Sequence, residues 1–320
     1  MGGFSRSVAY LFTLFGLAFA ANRTAPPLGA IVVRSGTAAY GEFNTISAAV
    51  NSLPNDQSSR SIFIYPGHYN EQVYITRPGP LTIYGYTNNT STYRSNQVTI
   101  QAGVPASATV SDDSPNTFGV GSQAIAVSQY GSRVGFYACG FYGSQDTVYA
   151  NLGTQVYLRG YIEGATDFIF GRRGQAYFGG NTIGVTAPGW VTASGRQADD
   201  DGSYVFYRNT IVLASGAAPG TAGNVYLGRP WGNYAKVIFK NTVVSVPLNP
   251  SVWSIWNNGN ENTDHVFLVD YNTTGRGIST NATYRASFAT VFDATQAAAY
   301  SISSAVGSDY ASWVDPSYLV

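Results

Sequence analysis

The sequence predicts an all-β chain, a single-stranded right-handed parallel β-helix with a short N-terminal capping helix. Three observations carry that expectation. First, Gln123, Gln145 and Asp167 lie 22 positions apart, and Gly143-Ser144-Gln145-Asp146 is echoed 21 residues later by Gly164-Ala165-Thr166-Asp167. A Gly-aromatic pair precedes each copy, Gly140-Phe141 and then Gly160-Tyr161. A fixed offset of about 20 to 25 residues in strand-like sequence marks a solenoid whose turns lie on one another. Second, the 320 residues include 36 Gly and 24 Tyr but are only 11% charged, well below the usual share of roughly a quarter. Third, hairpin signals are scarce. Only the loops at Asp201-Gly202 and Asn258-Gly259 carry the dipeptides that favour tight hairpin turns.

The elements follow in order. Residues 1–20 read as a secretory signal: Arg6 supplies the positive start, 8–17 is an apolar run too short to span a bilayer, and Ala18-Phe19-Ala20 is a small-x-small cleavage site. Residues 21–320 are then one exported domain, secreted and extracellular, with no membrane attachment after cleavage. Sequons at Asn22, Asn88, Asn89, Asn272 and Asn281 fit a glycoprotein on that route. Cys139 is the single cysteine, which excludes an intrachain disulfide. Formal net charge is zero and the pI about 6.7, so no basic face invites nucleic acid.

Residues 45–53 place Ile46, Ala49, Val50 and Leu53 at helical spacing, with Asn44 or Thr45 as N-cap and Pro54 as a stop. Such a helix covers the open end of a solenoid, whose terminal turn would otherwise expose its core. Short β-rich runs follow at 61–65, 81–84, 98–100, 124–127, 134–137, 155–158, 168–170, 204–207, 237–239 and 265–269. An Asn-Thr-(Ile/Val) phrase recurs at Asn181, Asn209 and Asn241. Asn tolerates the left-handed conformation, so each is expected at a corner between strands. The Ala- and Ser-rich tail, 294–320, is expected along the outside.

The chemistry lies in the repeat. With neighbouring strands about 4.8 Å apart, one-turn repeats become lateral neighbours, so Asp146, Asp167, Gln123 and Gln145 converge on one sheet face. Like charges so close resist joint ionisation, and a cation beside one acid decides which stays charged. Arg229, in Tyr226-Leu227-Gly228-Arg229-Pro230-Trp231, is the candidate, because guanidinium grips a carboxylate bidentately. The two glutamines offer neutral N–H donors for an oxyanion. Tyr149, Phe170, Trp231, Trp253 and Trp256 are candidate stacking surfaces for sugar rings. Ester and glycoside hydrolysis both use paired carboxylates, and neither requires a metal or cofactor.

Three longer runs narrow the class. Gly143-Ser-Gln-Asp-Thr-Val-Tyr149, Tyr161-Ile-Glu-Gly-Ala-Thr-Asp-Phe-Ile-Phe-Gly171 and Leu227-Gly-Arg-Pro-Trp231 resemble the signature set of pectin methylesterases (pectinesterases). Gly67-His-Tyr-Asn-Glu71 resembles an earlier segment of that family, Gln123-Ala124 its glutamine motif, and Trp253-Ser-Ile-Trp256 a paired-tryptophan segment. The resemblance runs from about Gly29 to Pro316, and without a large pro-region it suggests a fungal or bacterial form.

It implies methyl-ester hydrolysis on galacturonate units of pectin (homogalacturonan); a capped solenoid is itself expected to be a monomer. Asp167 would be the nucleophile and Asp146 the general acid and then base. Gln123 and Gln145 would hold the oxyanion, and Arg229 would orient Asp167. Trp231 and Trp256 would line the polysaccharide cleft, with Tyr149 and Phe170 as the further stacking candidates read from the residues. One departure from the family stands out. The link 114–122 is shorter by about one rung, which is expected to leave neighbouring coils unpaired and Gln123 displaced.

Other readings stay open at this point. A shortened family member could be inactive, a binding solenoid without turnover. A polygalacturonase would use its acids on the glycosidic bond. A pectate lyase would need a calcium-binding acidic group, for which Asp199, Asp200 and Asp201 form the one dense cluster. A Ser-His-Asp triad is poorly supported, with His68 and His265 the only histidines and no Gly-x-Ser-x-Gly elbow.

Overall fold

In the computed structural model, residues 21–103, 123, 125–279 and 281–320 are described. The expected signal, residues 1–20, and the short link, 114–122, lie outside them.

Among the described residues every strand-to-strand register is parallel, and the main body is built from three long sheets. The first holds Val127–Gln129, Val148–Ala150, Ile169–Gly171, Gly189–Ser194 and Val225–Pro230. The second holds Val134–Tyr137, Leu152–Leu158, Arg173–Gly179, Ser203–Tyr207, Lys236–Lys240 and Phe267–Tyr271. Gly140–Tyr142, Tyr161–Gly164, Thr182–Val185, Thr210–Leu213 and Val243–Val244 form the third. Each of five turns gives one strand to each sheet, and Phe267–Tyr271 adds a sixth to the second, the β-helix expected from the repeats.

Register stacks like on like inside. Phe136, Tyr157, Phe178, Phe206 and Phe239 are successive partners in the second sheet. Their ring centroids are 4.9, 4.7, 4.4 and 4.1 Å apart, with planes within 17° of parallel. The column then changes character: Phe239 pairs with Asp270, whose carboxylate Arg285 grips at 2.7 and 3.0 Å.

The corners after the second sheet differ from expectation. The left-handed residues there are Ala138, Arg159, Gly180, Arg208, Asn241 and Asn272, with φ between 47° and 65°. Asn181 and Asn209 sit one position later and have another task. The Asn209 Oδ1 accepts from Asn181 N at 2.8 Å, Asn209 Nδ2 donates to Phe178 O at 2.9 Å, and Asn181 Nδ2 donates to Tyr157 O at 2.8 Å. They are a buried amide ladder satisfying backbone groups that a turning chain leaves unpaired. The third copy of the phrase is out of step, since Thr210 pairs with Val243 and so Asn209 faces Thr242. Asn241 therefore holds a left-handed corner as expected, and the other two do not.

The N-terminal end carries the helix Ile46–Asn51, with Thr45 Oγ1 accepting from Ala48 N. The Glu71 carboxylate also accepts from the N–H groups of Ile46 and Ser47, both at 2.7 Å. That gives the Gly67-His-Tyr-Asn-Glu71 segment a structural role, a carboxylate seated at the positive helix end. The helix packs on a sheet of Ile31–Val33, Glu42–Phe43, Arg60–Ile64 and Leu81–Gly85, beside a strand pair, Gly67–Asn70 with Val98–Gln101. Among the described residues these sheets do not pair with the three long ones. Contact is made by side chains: Asn96 Nδ2 donates to Ala138 O at 2.8 Å, and Tyr93 stacks on Tyr161 at 5.0 Å.

The tail behaves as expected. Ala305, Val306, Val314 and Tyr318 pack outside the second sheet on Val156, Leu158, Tyr177 and Val205. Cys139 donates to Tyr137 O at 3.4 Å and its thiol is pushed up by burial, as suits an inert packing residue.

Candidate active site

The repeat that drew attention in the sequence is a corner between the third and first sheets. Gln145 pairs with Thr166 and Val148 with Ile169, so the rung offset here is 21 and Asp146 lies one rung before Asp167. Gln123 does pair with Gln145, so the short link does not displace its backbone from this rung. The coil from Gln123 to Val127 is one residue longer than Gln145 to Val148, and this extra residue produces the offset of 22. The equal spacing of Gln123, Gln145 and Asp167 therefore marks neighbouring rungs but not one column.

Asp146 and Asp167 both take left-handed backbone, φ 63° and 50°, and are 8% and 6% exposed. Asp accepts this conformation more readily than most residues. The preceding glycines are dictated by the same corner. A Cβ on Gly164 would lie 2.3 Å from Phe168 Cβ, and one on Gly143 would lie 2.5 Å from Thr147 Oγ1. Thr147 Oγ1 in turn donates to Glu163 O at 2.8 Å, tying the two copies together. Gln145 is half-buried beside them and Gln123 is exposed.

Arg229 reaches Asp167 as the sequence suggests. Its Nε donates to Oδ1 at 2.9 Å and its Nη2 to Oδ2 at 2.7 Å, a bidentate grip. Burial pushes the Asp167 carboxyl above its ordinary value, and the hydrogen bonds and charge of Arg229 oppose that. The leading cause of the upward push is thus desolvation, not the neighbouring carboxylate that the sequence singles out.

One residue went unnoticed in the sequence. The Arg229 guanidinium lies 3.7 Å from the Trp190 ring centroid and 4.2 Å from that of Trp256. Trp190 comes from the rung before, where it pairs with Tyr226 and stacks on it at 6.1 Å. The signal was present but faint: Trp190 precedes Ala193 by three residues as Tyr226 precedes Arg229, and Ala193 pairs with Arg229.

The aromatic candidates divide. Tyr149 and Phe170 stack on each other at 4.4 Å, but at 5% and 7% exposure they are a floor more than a projecting platform. Trp231 and Trp256 pack on that floor and are partly exposed, with Arg172 over the Trp231 ring at 4.5 Å. Trp253 is no platform. It is 1% exposed, pairs with Gly228 and belongs to the main core, because a Cβ-less partner lets the indole lie over the strand. The acidic loop is also accounted for: Arg196, 3% exposed, binds Asp199 at 2.7 Å and Asp200 at 2.9 Å.

A family model described as Pectinesterase matches residues 30–309. The chain belongs to the pectinesterase family. A pectinesterase of Aspergillus aculeatus is 39% identical over 327 residues, covering 94% of this chain and 96% of the relative. The crystal structure of the deglycosylated pectin methylesterase from Aspergillus niger aligns at TM-score 0.83 and 34% identity, covering 93% of this chain and 100% of that one. The pectin methylesterase from carrot, at 23% identity and TM-score 0.74 over 91% of this chain and 96% of its own, shares the fold. Family and fold agree with the resemblance read from the motifs, and membership makes the chain a carboxylic ester hydrolase.

Proposed function

We propose that this corner hydrolyses methyl esters of galacturonate in pectin, releasing methanol and leaving pectate, with Asp167 as nucleophile. The observation that carries the assignment is the bidentate Arg229–Asp167 pair, set one rung from a second buried aspartate. A carboxylate fixed at both oxygens by guanidinium is oriented and held toward its ionised form despite burial. Its attack on the ester carbonyl gives a tetrahedral oxyanion, which the amides of Gln123 and Gln145 stabilise. Collapse expels the methoxy group, to which Asp146 gives a proton, and leaves an acyl-Asp167 anhydride. Asp146, now a carboxylate, takes a proton from water, whose oxygen attacks the acyl carbon and restores Asp167.

Trp231 and Trp256 supply the exposed ring faces for the polysaccharide, over the floor of Tyr149 and Phe170. Secretion of residues 21–320 as a monomeric domain fits a polymer substrate outside the cell. Among the described residues, no helix is long and apolar enough to cross a membrane.

The test is methanol release from highly methylated pectin by the parent and by Asp167→Asn, with unsaturated sugars and new reducing ends followed in the same tubes. Methanol from the parent alone, without chain cleavage, is expected. Chain cleavage would reassign the protein to a hydrolase or lyase of the glycosidic bond. A folded parent that binds pectin and releases nothing would leave a binding solenoid.

A further inference from the structure

We propose that Trp190 is a positioning residue of this reaction, acting on Asp167 through Arg229 by closing the second face of the guanidinium. The inference rests on the reading in which Asp167 is the nucleophile. A planar cation with one indole centre at 3.7 Å and another at 4.2 Å is flanked by two aromatic rings, while its N–H groups donate from its edge. Three of its five N–H groups have partners there: Nε and Nη2 on Asp167, and Nη1 on Trp256 O at 3.4 Å. These bonds hold Arg229 against the nucleophile.

The two indoles are not equivalent. With the Asn257 carboxamide turned to suit its neighbours, its Oδ1 accepts from Trp256 Nε1 at 3.0 Å. Trp190 Nε1 is buried with no hydrogen-bond partner among the described residues. A buried donor without a partner is a cost that phenylalanine at this position would avoid. What tryptophan supplies here is therefore its ring face, the strongest of the aromatic faces toward a cation. Stacking on Tyr226 holds that face in place.

The titratable groups on the surrounding elements are Asp167 and Arg229 themselves, Asp146 one rung before, and the phenols of Tyr149 and Tyr226. Arg172 adds a cation over Trp231. Among the described residues only Asp167 is in bidentate contact with Arg229, so a loosened guanidinium is read first at that carboxyl.

The experiment compares the parent with Trp190→Phe and Trp190→Leu, measuring kcat, KM and the acid limb of kcat/KM against pH. Leucine removes the face and is expected to lower kcat by about three- to thirtyfold, with KM nearly unchanged and the acid limb moved to higher pH. Phenylalanine keeps a weaker face and is expected to fall between in kcat, with its acid limb displaced less than that of the leucine variant. Unchanged kcat and acid limb in the folded variants overturn the proposal, whatever their melting temperatures. The phenylalanine variant decides alone if the leucine variant does not fold. Failure of the underlying reading is distinct: the parent would release no methanol, or Asp167→Asn would retain activity.

Discussion

Two columns of side chains run along this β-helix under the same one-rung spacing, and they are used in opposite ways. Inside the second sheet, Phe136, Tyr157, Phe178, Phe206 and Phe239 repeat one kind of ring at nearly one interval. On the first sheet, Ser128, Tyr149, Phe170, Ala193 and Arg229 are successive register partners and almost every rung differs. A uniform column excludes water and gains packing from every neighbour. A varied column sets unlike groups side by side, here an aromatic floor, a small residue and a cation that leans on Asp167. Uniformity gives stability and variation gives chemistry, from one backbone geometry.

The comparison is sharpest where one substitution is made in each column's service. Asp167→Asn is expected to lower methanol release by about a thousandfold or more while the protein stays folded by circular dichroism. Phe206→Ala is expected to do the reverse. It leaves a cavity between rings at 4.4 and 4.1 Å and should cost about 3–5 kcal/mol in denaturant unfolding, with activity per folded molecule retained. Loss of activity proportionate to that destabilisation in both variants would erase the distinction.

Acidity separates the columns next. The Asp167 carboxyl is raised in the fold, so its contribution to stability is present below 3.8 and lost as pH rises through the folded value. As the proposed nucleophile, Asp167 needs the ionised form, which is populated across that same interval. The acid limb of kcat/KM should therefore lie above 3.8. Arg229→Gln removes the opposing charge and should move the limb up by about one unit or more. A limb that stays put would show that Arg229 does not set the charge of Asp167. The smallest effect belongs to the corner ladder: Asn209→Ala strips a buried acceptor from Asn181 N and should cost about 1–3 kcal/mol, read as a lower urea midpoint with kcat unchanged.

Much of this was legible from residues whose neighbours are local or one regular turn away. The capping helix was readable because Ile46, Ala49 and Val50 share a helical face. Asp146 and Asp167 were readable because two copies of one corner lie 21 residues apart. Trp190 was hidden because the turns after Gly171 have unequal lengths: Ala193 pairs with Phe170 at an offset of 23 and Arg229 with Ala193 at 36. No fixed period could bring its ring to the guanidinium. The Asn phrase misled for a related reason, since its third copy is shifted by one residue and changes from ladder to corner. Trp253 and Trp256 looked alike in sequence, yet one faces a glycine inside and the other a cation at the surface.

The replacement of the next ring by Asp270 and Arg285 gives the stacked interior a defined end. A column finishing in phenylalanine would offer a greasy face in register for the first strand of another molecule, and each addition would recreate that face. An ion pair turns such growth into a desolvation problem that the incoming ring has no means of solving. The rule that lets like stack on like thus gives way at this end to a buried ion pair, and the chain closes its own edge there, Val269 pairing with Thr290.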